Sequence, residues 1–210
     1  MLRSMIDSTV LKIARLLNSR GGFKLLPSLI YMTDEIRTPN PRPVIEKLKP
    51  GTGVIFRHYQ FSERAGLGLE IKKLCKRKGL LFLVGGDYEL AQMLDADGFH
   101  LPEYMVSNPS FNIRVWGQKK NKILTAAAHT KKSLLKCQSL GVDAALVSPI
   151  FTTKSHSDST TIGVLGLHKI AQNTSLPIYA LGGINNGNAQ QLLKSSVIGI
   201  AGIGLFPSKY

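Results

Sequence analysis

Two glycine-rich turns near the C-terminus carry the clearest chemical signal in the chain. Gly182 and Gly183 follow the apolar run PIYAL (177–181), and Gly202 and Gly204 lie at the end of the run IGIAGI (198–203). Glycine lets a phosphate approach backbone N–H groups closely, and a helix read from Asn185 through Leu193 would turn its positive N-terminus toward the same anion. Phosphate binding is one reading of these turns, and tight strand-to-helix connections are the other. His100 and His129 each lie in or just after an apolar run, and histidine titrates in the range that general acid–base chemistry needs. His100 is read as pointing from its strand toward the same rim as His129, where it is as much a packing or substrate-stacking residue as a base. His156 and His168 read as exposed. No histidine pair has metal-site spacing, and no Ser-His-Asp pattern stands out. Cys75 and Cys137 sit in helical stretches without a CxxC partner, so they read as buried free thiols of a reducing cytoplasm.

These residues need a scaffold, and the sequence spells one out. Short aliphatic or β-branched runs recur at SLIYM (28–32), GVIFR (53–57), LLFLV (80–84), DGFHL (97–101), KILTAA (122–127), AALVS (144–148), PIYAL and IGIAGI. They are apolar on both faces, as in a parallel sheet covered by helices. Helical patterns separate them. The clearest runs from Ser62, a plausible N-cap, to Lys78, with Gly79 as its stop and Leu67, Ile71, Leu74 and Cys75 on one face. Another starts near Thr130 and stops at Gly141. Residues 102–121 show no clear helical period. Strand–helix alternation through eight strands predicts an α/β chain closed as a (β/α)8 TIM barrel, with residues 1–210 forming one domain. Tyr210 follows the eighth strand too closely for a full last helix. An amphipathic N-terminal helix (about residues 4–18, within a 1–22 extension) is expected to cover the vacant sheet face.

The chain is 210 residues long with a formal net charge of +14. The excess gathers at helix ends such as Lys72, Lys73, Lys76, Arg77 and Lys78. No aromatic residues interleave these clusters, so the field reads as solvated faces that steer phosphorylated metabolites rather than as a nucleic-acid surface. No window is apolar enough for a membrane span. A cytoplasmic protein without nucleic-acid or membrane partners is expected. The sequence leaves a homo-oligomer open.

The segments GVDAALVSPIFTTKSH (141–156) and GVLGLHKIAQNTSLPIYALGGINNGNAQQLL (163–193) strongly resemble thiamine phosphate synthase and its relative, the TenI-type thiazole tautomerase. DYELAQMLDADGFHL (87–101), TAAAHT (125–130) and YMTDE (31–35) resemble further stretches of the same superfamily. The resemblance implies that Gly182, Gly183, Ile184, Ala201 and Gly202 hold the phosphate of a thiazole substrate. It further implies that Phe151, Thr153 and Ser155 line the loop after strand six, and that Arg57 is the arginine of a pyrophosphate-binding R-E-K motif.

This chain departs from the synthase where the diphosphate and its Mg2+ would sit. Gly85-Gly86 replaces an Asn-Asp pair, Met105 stands at a second metal aspartate, and Tyr59 stands at the motif lysine. Ala127 and His156 replace a serine and a lysine. Asp87 and Glu103 lie close enough in sequence to substitute as ligands after a shift. Losing both original carboxylates argues against the ion, which prefers hard oxygen ligands. The expectation is therefore a thiazole-phosphate-binding protein without a metal or other cofactor, tautomerase-like, with His129 as the catalytic proton carrier. One alternative is a synthase joining a hydroxymethylpyrimidine diphosphate to thiazole phosphate, which would use Mg2+. The other is a non-catalytic relative that binds thiazole phosphate or thiamine phosphate. The synthase shares the histidine at His129, so that residue alone does not separate them.

Overall fold

All eight apolar runs become strands. The computed structural model describes residues 8–23, 25–153 and 161–205. The strands are β1 (Leu29–Met32), β2 (Gly53–Phe56), β3 (Leu81–Gly85), β4 (Gly98–Leu101), β5 (Ile123–Ala128), β6 (Ala144–Val147), β7 (Ile178–Leu181) and β8 (Gly199–Gly202). Each pairs in parallel with the next, and β8 pairs with β1, so the sheet closes into a barrel. Closure explains the continuous apolar runs, because every strand has one face inside the barrel and one under helices. Ile30, Ile55, Leu83, Leu146, Tyr179 and Ala201 fill the inside. Leu29, Val54, Phe82, Phe99, Ala145 and Ile200 face the helices. The Tyr179 hydroxyl donates to the Pro27 carbonyl at 2.5 Å, which satisfies a phenol buried in the barrel. Asp97 and Asp143, just ahead of β4 and β6, accept from the backbone N–H of Phe82 and Leu124 on the neighbouring strands and so help fix the register.

The connecting helices are α2 (Arg42–Ile45), α3 (Arg64–Lys78), α4 (Tyr88–Met93), α5 (Glu103–Ser107), α6 (Phe111–Gly117), α7 (Lys131–Ser139) and α8 (Gly163–Gln172), with α1 (Ser8–Gly21) ahead of β1. Thr130 caps α7 in a reciprocal capping box with Ser133, and Gly79 ends α3 in the left-handed conformation. Three expectations change. Helix α3 begins one residue later than the Ser62 cap implied, with Glu63 at the N-cap and no side-chain cap. Residues 102–121 hold two short helices, α5 and α6. Their period is hidden because neither exceeds two turns, yet Trp116 of α6 is buried against Phe99 and Tyr88. The helix expected at 185–193 is a six-residue 3-10 segment, Ala189–Lys194.

That short segment leaves the outer face of β8 uncovered, and α1 covers it. Val10, Ile13, Ala14 and Leu17 recur at helical spacing and are all buried. Helix α1 packs on β8, β1 and the 3-10 segment, and Arg20 donates to the Leu193 carbonyl at 3.1 Å. Both cysteines are buried and free, and burial pushes each thiol up to about 12. No helix among the described residues is long and apolar enough to cross a membrane. Because Leu17 is 1% exposed, Leu17→Ala is expected to destabilise the fold by about 2–5 kcal/mol in urea titration, with the slope unchanged.

Candidate active site at the barrel mouth

In a parallel barrel all strand C-termini meet at one end, and the loops that leave them build the site. After β7 the chain turns through Gly182 and Gly183 at φ 98° and 67°. A Cβ at Gly183 would lie 2.5 Å from the Thr152 carbonyl oxygen and 2.6 Å from that of Phe151, so no other residue fits this turn as built. Hydrogen bonds from Ile150 N–H to Leu181 O and from Phe151 N–H to Gly182 O join it to the loop after β6. The Asn188 side chain donates to the Gly183 carbonyl at 2.9 Å and thereby orients that peptide. No hydrogen bond among the described residues uses the N–H groups of Gly183 or Ile184. These two donors, rather than a helix N-terminus, are what the turn offers an anion, since the following 3-10 segment is too short to add much dipole. Ala201 lies inside the barrel and pairs with Leu181, while the Leu205 side chain occupies the space above Gly202. The β8 side of the expected phosphate site is therefore more closed than the β7 side.

On the opposite rim, Arg57 follows β2. Its Nε donates to the Thr33 carbonyl at 2.7 Å and its Nη2 to Asp34 Oδ2 at 3.1 Å. The next residues replace the motif's Glu and Lys. His58 is buried and stacks on Phe56, with ring centroids 5.4 Å apart. Tyr59 lies across the two glycines. A Cβ at Gly85 would be 2.9 Å from the Tyr59 hydroxyl, and one at Gly86 would be 3.1 Å from its ring. Arg64, at the first turn of α3, fastens the same rim. It donates to the carbonyls of Arg57 and Gly85 and pairs with Asp87 at 2.6 Å, with its guanidinium over the Phe56 and Tyr59 rings.

A divalent cation does not fit this rim. Asp87 is spent on Arg64 and on capping α4, where it accepts from Leu90 N–H. Glu103 turns away to β5, accepting from His129 N–H at 3.0 Å. Gly85, Gly86 and Met105 supply no side-chain oxygen. Among the described residues no three His, Cys, Asp or Glu side chains gather at metal-binding range.

His129 stands just beyond β5. Its Nδ1 lies 2.9 Å from the Ser148 carbonyl and 3.0 Å from the Ser148 hydroxyl. A carbonyl only accepts, so Nδ1 carries the proton and the neutral ring leaves Nε2 as the basic nitrogen. Glu103 Oε2 is 3.9 Å from that Nε2, and contacts with Ser133 and His129 outweigh burial to hold the Glu103 carboxyl below its usual range. His100 does not stand on the rim. It is buried inside the barrel with Nδ1 2.9 Å from Thr125 Oγ1, and burial depresses it to about 3. It forms a neutral floor to the mouth. Phe151 and Thr153 are partly buried in the loop after β6, whereas Ser155 and His156 lie outside the described residues. His168 is partly buried rather than exposed, and its Nδ1 finds no hydrogen-bond partner among the described residues. Sequence reasoning passed over Arg64 and His58. The replaced R-E-K motif was the available signal for His58, and nothing in the sequence marked Arg64.

Residues 31–206 match the family described as Thiamine monophosphate synthase. The thiamine-phosphate synthase of Pyrococcus furiosus is 31% identical over 189 residues, covering 88% of this chain and 87% of the relative. That of Chloroflexus aurantiacus is 34% identical over 165 residues, covering 76% and 74%. The solved thiamine phosphate pyrophosphorylase of Pyrococcus furiosus superposes with a TM-score of 0.69 at 28% identity, covering 90% of this chain and 87% of that one.

Gly183→Ala is expected to destabilise the fold by about 1 kcal/mol or more in urea titration, because the turn must open to admit the methyl group at a backbone angle that disfavours a side chain. The buried histidines set an acid dependence of stability. His100 is held at about 3 against an ordinary 6.5, and burial also lowers His58. Below pH 6.5 the unfolded chain takes up protons that the native chain refuses, so this stability is complete above 6.5 and is lost as pH falls toward about 3. Thermal midpoints are expected to fall already between about pH 6.5 and about pH 5, above the carboxylate range, and less steeply in His100→Gln.

Proposed function

The chain belongs to the thiamine monophosphate synthase family, and from that premise we propose that it acts in thiamine biosynthesis on a phosphorylated thiazole by metal-independent proton transfer. The observation that carries this reading is the contrast across the mouth. The turn after β7 keeps the N–H groups of Gly183 and Ile184, which no hydrogen bond among the described residues uses, while on the opposite rim Tyr59 lies against Gly85 and Gly86 and Asp87 is paired with Arg64, so that rim offers neither a motif lysine nor an unpaired Asp87 carboxylate. The phosphate rests on the N–H groups of Gly183 and Ile184, with Phe151 and Thr153 beside it. Arg57 takes a second anionic group. Asp34 already pairs with Nη2, so the guanidinium offers a ligand its Nη1 donors, enough for one carboxylate and too few for a diphosphate. His129 accepts the substrate proton at Nε2 and returns it, with Nδ1 pinned by Ser148. Glu103 faces the imidazolium that forms and stabilises it. The substrate that matches these demands is a carboxythiazole phosphate.

A second reading has its own support. The relatives are named thiamine-phosphate synthase, and those names favour the joining of a pyrimidine diphosphate to thiazole phosphate over isomerisation. Both reactions need the phosphate turn and differ on the opposite rim. Two assays on the purified chain separate them. Isomerisation of a carboxythiazole phosphate is expected to persist in the presence of a chelator and to fall by about a hundredfold or more in His129→Ala. Mg2+-dependent release of pyrophosphate from the two synthase substrates, without isomerisation, would replace the proposal with the second reading. Thermal stabilisation by thiazole phosphate with neither turnover would leave a binding protein.

A further inference from the structure

Arg57 is useful to an anion only while its guanidinium is held at the mouth, and the neighbouring buried histidine is part of what holds it. His58 Nε2 lies 3.1 Å from the Pro39 carbonyl, and its Nδ1 lies 2.9 Å from Thr33 Oγ1. The carbonyl can only accept, so Nε2 carries the proton and the neutral ring presents Nδ1 as an acceptor. The Thr33 hydroxyl must then donate to Nδ1. With its hydrogen committed, the same oxygen accepts the Arg57 backbone N–H at 2.9 Å. The Thr33 carbonyl and Asp34 carboxylate, immediately alongside, take Arg57 Nε and Nη2. No hydrogen bond among the described residues uses Arg57 Nη1. Every donor and acceptor in this chain of bonds has one possible direction, and the direction is set at His58. The histidine also grips both ends of the segment from Thr33 to Pro39, against which the guanidinium lies.

Other features show that this arrangement is built. His58 is 1% exposed and packs between Phe56, stacked, and Phe61, edge-on. Its φ of 20° is uncommon for a residue with a side chain, and the surrounding contacts hold it there. Burial favours the neutral ring that the bonds require. Asp34, Glu35 and Arg57 are the charged groups that act on it. None of this chemistry is used in proton transfer at His129.

We propose that His58 is a positioning residue: through Thr33 it fixes the Arg57 guanidinium to receive the second anionic group of the substrate. The proposal rests on the reading of Arg57 given above. The test compares two ligands by calorimetry, thiazole phosphate and its carboxylated counterpart, in the full chain. The ratio of their dissociation constants reports the carboxylate contact alone, because the phosphate contact is common to both. The intact protein is expected to favour the carboxylated ligand by about tenfold. Arg57→Ala should bring the ratio close to unity. His58→Phe keeps the ring packing but can neither accept from Thr33 nor donate to Pro39, and it should lower the ratio nearly as far. His58→Asn restores an acceptor near Nδ1 and should recover most of the preference. Thiazole phosphate itself should bind all variants equally, which shows that they are folded with the phosphate turn intact. A ratio retained in His58→Phe while Arg57→Ala loses it would overturn the role of His58. A ratio of unity in the intact protein, or one unaffected by Arg57→Ala, would overturn the assignment of Arg57 and the proposal with it.

Discussion

The pairing of β1 with β8 is the constraint on which the rest of the molecule depends. A parallel sheet left open would expose β1 and β8 as two edges, each with a row of unpaired N–H and C=O groups. Closure removes both edges and makes each strand a buried one. It also gathers the strand C-termini around a single mouth, so residues as distant in sequence as Arg57 and Gly183 stand at the same end of the barrel. Helix α1 serves that closure from outside. It packs against β8 and β1 and supplies the cover that the six-residue 3-10 segment cannot.

The two sides of the mouth are held by different physics. On the β6–β7 side the backbone does the work, with carbonyls of Phe151 and Thr152 so near Gly183 that a side chain is sterically excluded. On the β2–β3 side, side chains that could have remained free have been joined to one another. Arg64 satisfies the carbonyls of Arg57 and Gly85 and neutralises Asp87, and Tyr59 fills the volume above two glycines. The pairing of Arg64 with Asp87 is partly sheltered from solvent, and its value lies in orientation as much as in energy.

The barrel was legible because its strands are written as continuous apolar runs, a pattern that does not depend on distant partners. The glycines of the turn after β7 were legible for a similar reason: backbone conformation leaves a trace in residue type. The helix boundaries at Glu63 and in residues 102–121 were less so, since short helices carry little period and are held by packing, as Trp116 is. The rim resisted reading because its logic is compensation. Gly85, Gly86 and Tyr59 each look like a loss when taken singly, and only their contact shows that they fill one another's space. His100 was placed on the rim by its position near a strand end, whereas alternation along β4 turns it inward to Thr125. His58 and Arg64 carried no spacing signal, because their partners lie on other loops.

The contact between Tyr59 and the glycine pair also constrains the ways in which this sequence can change. A side chain introduced at position 85 meets the Tyr59 hydroxyl, and one at position 86 meets both the phenol ring and a backbone angle that suits glycine. A carboxylate or amide reinstated there alone would have to displace an aromatic ring that also lies against Arg64. The substitutions at 59, 85 and 86 are therefore not independent characters. They form an epistatic unit in which the first reversal is penalised before any later one can be rewarded, and the rim is held in its present chemical state by its own packing.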